Sequence, residues 1–243
     1  MNTGKGMVKQ LAKLGLLWTM WVSLSACAGL GGTSWKEQVL LDDGSKIIVR
    51  RSQSYGGLHE IGQSVPVSEH TISFNLPGSG KKLSWTSEYG EDLGRTNFNL
   101  LALHILNGTA YLIAEPNLCP SYNKWGRPNP PYVIFRNDGQ EWKRIPLSEL
   151  PAEFMTINLI VNNGRTKDIE WASAKLGYVS AEGVKDFNSS LSQPQYHTIL
   201  REPLAAEYIE HMCMEMVPYK GSWVMPNDPI ARRYIDSQQR KEH

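Results

Sequence analysis

Leu100-Leu-Ala-Leu-His-Ile-Leu-Asn-Gly-Thr-Ala-Tyr-Leu-Ile-Ala114 is two apolar runs on either side of one Asn-Gly pair. Asn107-Gly108 tolerates the positive φ angles of a type I′ turn, whose twist matches that of two paired antiparallel strands. The flanks, 100–106 and 109–114, are short and apolar, so the stretch predicts a β-hairpin. The arrangement recurs to either side. Asp42-Asp43-Gly44 separates 35–41 from 46–51, and Asn137-Asp138-Gly139-Gln140 separates 132–136 from 141–146. Segments 71–76, 82–86, 154–161 and 168–175 are further strand candidates. Turn signals at intervals of about ten residues favour an antiparallel sandwich or barrel over βαβ units. Alternation within the hairpins predicts one buried and one wet face.

Helices are few. Ala205, Tyr208, Ile209, Met212, Cys213 and Met216 recur at three- and four-residue spacing and predict a helix over 203–216, with Pro203 in its first turn. A second is expected over 181–191 with Ser180 as N-cap, weakened by Gly183. A third starts after Asp228 with Pro229 and frays through the polar residues 236–243. The fold class is therefore mainly β, an antiparallel sandwich or barrel-like domain with a few peripheral helices.

The 243 residues are 41% hydrophobic and 20% charged, a globular balance. The formal net charge of +1 gives no field that would recruit nucleic acid. That charge belongs to the first residues. Lys5, Lys9 and Lys13 precede the apolar run Leu14-Gly-Leu-Leu-Trp-Thr-Met-Trp-Val-Ser-Leu-Ser-Ala26, and no acid occurs before Glu37. A positive start, a short apolar segment and small residues at its end make a secretory signal. The run is too short to span a hydrocarbon core of ~30 Å as a helix.

The segment ends Leu24-Ser25-Ala26-Cys27, which resembles the lipobox of bacterial lipoproteins. The resemblance covers only the targeting segment. It implies cleavage before Cys27, a diacylglyceryl group on its sulfur and an acylated amino group, chains sufficient for stable anchoring. Ala28 rather than Asp after the cysteine implies sorting to the outer membrane, with the domain in the periplasm. Loss of the three lysines takes the formal charge to −2. The chain then divides into a signal peptide (1–26), a lipidated tether (27–34), one mainly-β domain (35–226) and a polar tail, partly helical or disordered (227–243).

Cys119 and Cys213 remain after lipidation, in an oxidising compartment. They are a candidate disulfide; two separate buried thiols are the alternative, which the place of Cys213 on an apolar stripe also suits. The Pro-rich stretch Pro116 to Pro131 reads as a long loop within the domain, and Cys119-Pro-Ser-Tyr-Asn-Lys-Trp-Gly-Arg-Pro-Asn-Pro-Pro-Tyr132 is the most unusual stretch. Tyr122, Trp125 and Arg127 in it are candidates for a surface that contacts a protein or glycan. The competing reading is structural: aromatics buried, Arg127 bonded to carbonyls.

Enzyme motifs are incomplete. His59-Glu60 lacks the second histidine of a zinc helix, Gly78-Ser79-Gly80-Lys81 lacks the rest of a phosphate loop, and no Gly-x-Ser-x-Gly elbow occurs. Ser121 and Lys124 have Ser-x-x-Lys spacing without its partner motif. His211-Met-Cys-Met-Glu-Met216 has soft ligands suited to copper, but on a helix they diverge. His59, His70, His104 and His197 could meet only through the fold. No cofactor motif is found. The expectation is a lipid-anchored envelope component that binds a protein or glycan partner without catalysis. An envelope hydrolase assembled from distant residues is the first rival, and a copper-handling protein the second.

Overall fold

The computed structural model describes residues 32–57, 59, 62–161 and 165–240. The signal segment, Cys27 and Glu60 lie outside the described residues. Strands β1 (Thr33–Leu40), β2 (Lys46–Tyr55), β3 (Val67–Asn75) and β4 (Lys82–Ser87) form an antiparallel meander in that order. A short ladder, β5 (Tyr89–Gly90) with β6 (Arg95–Thr96), leads into a second four-stranded sheet. That sheet runs β7 (Phe98–Leu106), β8 (Thr109–Pro116), β9 (Val133–Asn137) and β10 (Trp142–Ile145), again between sequence neighbours. The chain is mainly β and sandwich-like, and no barrel closes among the described residues.

All three sequence-predicted hairpins form. Asn107 and Gly108 have φ of 50° and 76°, as a type I′ turn needs. β1 starts at Thr33, paired with Gln53, so Thr33 and Ser34 belong to the sheet rather than to the tether. One core joins the sheets: Val39, Ile72 and Trp85 of the first pack with Phe98, Leu103 and Leu112 of the second. In β4 the alternation is complete, buried positions facing that core and exposed ones facing water. The second sheet departs from the expected wet face. A bulge opposite Ile113 and Ala114 turns Leu101 and Ala102 away from the shared core. They meet Phe154, Val161 and Ile199 on the far side, so β7 is buried on both faces.

Two expected strands are not strands. Segment 154–161 makes only an isolated bridge, Thr156 to Thr198. Side chains replace the ladder that its buried backbone would need. Asn158 accepts from Leu103 N at 2.8 Å and donates to Leu103 O at 2.8 Å; Asn188 accepts from Val161 N at 3.0 Å and donates to Leu159 O at 2.8 Å. Segment 168–175 falls mostly in a helix, Thr166–Ser173, which buries Ile169 and leaves Trp171 83% exposed. Ile169 and Trp171 are two residues apart, a strand-like spacing that the helix sends to different sides.

The helices, in chain order, are α1 (Leu118–Lys124), α2 (Thr166–Ser173), α3 (Ala181–Ser189), α4 (Ala206–Met212) and α5 (Pro229–Gln239). α1 lies inside the expected loop, with Pro120 in its first turn, where a missing N–H costs little. α3 is capped as expected, Ser180 Oγ accepting from Gly183 N at 3.1 Å. α4 is shorter than expected: Pro203 precedes it and Cys213 is extended. α5 carries Asp236 in a helix, where it accepts from Tyr219 Oη and Lys220 Nζ. A hairpin the sequence reading missed, β11 (Val217–Tyr219) with β12 (Ser222–Val224), turns on Lys220 and Gly221, both at positive φ.

Candidate functional site

One cleft has a volume of about 720 Å³, within the range of small-molecule sites. Its floor comes from strands. Asn99 of β7 and Glu115 of β8 stand opposite each other in the second sheet, and His70 of β3 reaches it from the first. Its walls come from α1, α4 and the 3-10 turn Pro194–Tyr196. Pro116, Leu118, Pro131 and Met212 make apolar patches, and Asn117, Gln193 and Gln195 add amides.

Glu115 is the chemical centre. It ends the run Ala110-Tyr-Leu-Ile-Ala-Glu115 and is 7% exposed. Tyr196 Oη donates to its Oε1 at 2.7 Å, and Asn99 Nδ2 donates to the same oxygen at 3.4 Å. Among the described residues no positive side chain bonds it. Burial, only partly offset by those two donors, pushes its carboxyl up to about 7. Tyr196 is pushed up in turn, by its own burial and by the Glu115 charge. It therefore stays a hydrogen-bond donor.

His70 is the second perturbed group. Burial first, and the Arg51 charge second, push its imidazole down to about 3, so it is neutral at ordinary pH. Gln53 Nε2 bonds its Nδ1 at 3.1 Å. The cleft thus presents an acid that can be neutral, a neutral imidazole, a phenol and several amides. That set can give and accept hydrogen bonds, and the Arg95 guanidinium in the same lining adds one positive charge.

Cys119 and Cys213 are joined by a disulfide, with Cα atoms 5.2 Å apart, and both line the cleft. The bridge ties α1 to the end of α4. Arg127 reinforces it, donating to Cys213 O at 2.8 Å and to Asn123 Oδ1 at 3.1 Å. Asn123 also accepts from Met216 N at 2.8 Å.

The surface expected of Tyr122, Trp125 and Arg127 is not an outward aromatic face. Tyr122 is 3% exposed, and its hydroxyl donates to Pro128 O at 3.0 Å. Trp125 packs on Phe98 at 4.5 Å between ring centroids and donates to Asn97 Oδ1 at 3.2 Å. Arg127 lies over Tyr122 and bonds carbonyls. These groups are spent on internal contacts, the structural alternative; only Tyr122 reaches the cleft wall.

The other candidates do not converge. His104 bonds Asp42 Oδ2 at 2.5 Å and Thr156 O at 3.0 Å, stacked on Phe154. Neither it, His59 nor His197 lines the cleft. The run His211–Met216 loses its thiolate because Cys213 is in the disulfide, and Met214 is exposed. Among the described residues no group of three or more His, Cys, Asp or Glu could hold a metal ion. No described helix is long and apolar enough to cross a membrane.

The sequence reading missed Glu115, Asn99, Tyr196 and Gln195. One signal was present: a single carboxylate closes an otherwise apolar strand run. Comparison of the chain with protein-family models, curated proteins and solved structures finds no match.

Proposed function

We propose that this chain is a lipid-anchored outer-membrane lipoprotein whose β domain, in the periplasm, binds a hydroxyl-rich ligand of the glycan class without transforming it. The observation that carries the binding reading is the Glu115 cleft. Sugars present hydroxyls that both donate and accept, and apolar ring faces. A carboxyl that can hold its proton near neutral pH, a phenol and several amides between proline and leucine walls complement both properties. The anchoring reading rests on Leu24-Ser25-Ala26-Cys27 and the positive leader before it.

The test of the binding reading uses full-length protein in detergent, titrated with glycan fragments from the envelope of the producing cell. Asn99→Ala removes the cleft-lining amide that holds Glu115 and Asn117 in place and is expected to weaken capture about tenfold, the equivalent of ~1.4 kcal/mol. Equal capture by the variant contradicts the reading. Anchoring is checked by palmitate labelling, which Cys27→Ser is expected to abolish.

A hydrolase is favoured by one observation, the raised Glu115 carboxyl beside Tyr196. Most glycoside hydrolases need a second carboxylate across the bond. Glu115 is the only Asp or Glu among the described residues lining the cleft. We therefore keep the non-catalytic reading. Release of reducing ends from bound glycan, lost in Glu115→Gln, would replace it by the hydrolase.

A further inference from the structure

The charges that face the cleft narrow its ligand. We propose that the cleft selects a glycan bearing a carboxylate, with the Arg95 guanidinium receiving the anion and Glu115 Oε2 bonding a neighbouring ligand oxygen. This rests on the glycan-binding reading above.

Arg95 begins β6, just after the Gly90–Gly94 turn that links it to β5. It is half-buried and lines the cleft. Among the described residues it has no acidic partner and no side-chain hydrogen bond. The nearest acid in sequence that could neutralise it is already engaged: Asp92 accepts from Lys124 Nζ at 2.6 Å and from Trp223 Nε1 at 2.9 Å. A guanidinium is a fixed charge with five donors in a planar fork that fits a carboxylate. Left without a partner at a cleft wall, it is a recognition group in want of an anion.

Glu115 supplies the second free atom. Both of its donors, Tyr196 and Asn99, bond Oε1, and no described residue bonds Oε2. Of the other titratable lining groups, His70 is neutral and the Tyr122 and Tyr196 phenols, both raised by burial, stay protonated. Behind His70 stands Arg51, whose charge is already engaged by Glu37 at 2.8 Å. Among the described residues no second carboxylate lines the cleft to repel an anion. One unpaired guanidinium matches a singly charged planar group; a phosphate dianion would keep uncompensated charge in a half-buried site. The amides Asn117, Gln193 and Gln195 remain for the hydroxyls of the same sugar.

The experiment compares uronic-acid oligosaccharides with their carboxyl-reduced counterparts, which differ only in that group. Binding to full-length protein in detergent is measured by calorimetry for the native chain, Arg95→Gln and Arg95→Lys. The native chain is expected to prefer the acidic members at least tenfold. Arg95→Gln should lose that preference while holding the reduced members as before, and Arg95→Lys should keep part of it. Because the Arg95 side chain makes no hydrogen bond among the described residues, circular dichroism should be unchanged in both variants. Equal affinity for acidic and reduced sugars, or a preference that survives Arg95→Gln, overturns the inference and leaves the glycan reading standing. No binding of either member overturns both.

Discussion

Among the described residues two carboxylates, Glu37 and Glu115, are withdrawn from water and are treated in opposite ways. Glu37 on β1 is fully buried, bonded at 2.8 Å to Arg51 on β2 and at 3.0 Å to Trp35 Nε1. Arg51 lies over the Trp35 ring, and the apolar contacts of Trp35 with Ile160, Ile169 and Val184 close the region. Glu115 is nearly as buried, yet it has two uncharged donors, one bare oxygen and a cleft in front of it. In the first arrangement the two charges are paired within the protein, although Arg51 Nε has no partner of its own. In the second, among the described residues, Oε2 of the acid has no partner and faces the cleft that we propose binds a ligand. A buried charge with its partner in place specifies a fold, whereas a buried acid without one costs stability that selection keeps for binding or chemistry.

The comparison can be broken most directly at the closed pair. Arg51→Ala leaves Glu37 buried without its cation and is expected to cost about 3–5 kcal/mol, read by denaturant unfolding. Replacing both partners by apolar residues of similar size should recover most of that. If the single and double variants lose equally, the pair is not the reason for the loss.

The disulfide comes next, because it holds the cleft wall while the closed region needs no covalent tie. Its ends are 94 residues apart, and Cys119→Ser with Cys213→Ser should cost about 2–4 kcal/mol. Hydrogen exchange should rise in α1 and α4 and stay unchanged around Glu37.

Glu115→Gln should act with the opposite sign. The Glu115 carboxyl sits at about 7 in the folded chain against an ordinary 4.5, so the folded state holds its proton more tightly. The stability this gives is fully present below 4.5 and is lost as pH rises to about 7. The glutamine variant escapes that loss and should be more stable near neutrality, by at most about 3 kcal/mol. His70, depressed from 6.5 to about 3, contributes stability present above 6.5 and lost as pH falls towards 3. The two slopes oppose each other between 4.5 and 6.5. The native chain should be nearly flat there, and Glu115→Gln should gain stability with rising pH. A destabilised Glu115→Gln protein, with no change in that slope, would make Glu115 structural like Glu37.

The smallest effect belongs to the cover of the closed region. Ser180→Ala removes the cap of α3, which carries Val184 over Trp35, and should cost ~1 kcal/mol without touching the cleft.

The hairpins were legible because their information is local: Asn107-Gly108 and Asp42-Asp43-Gly44 fix both turn and register within a few residues. Segment 154–161 was not, because its backbone is satisfied by Asn158 and by Asn188, the latter on α3. α1 was hidden by a proline that its first turn accepts. The cleft could not be read, since His70, Arg95, Asn99, Glu115, Tyr196 and Cys213 meet only once both sheets and α4 are in place. Tyr122, Trp125 and Arg127 drew notice by their chemistry, yet that chemistry is turned inward.

The cleft as the binding region is tested most directly by photo-crosslinking in the producing cell. A photoreactive residue at Gln193, on the cleft wall, is compared with one at Trp171, exposed and outside it. The account predicts glycan-bearing adducts from 193 that diminish in Asn99→Ala, and none from 171. Adducts free of sugar from 193, or sugar adducts from 171 alone, would contradict it.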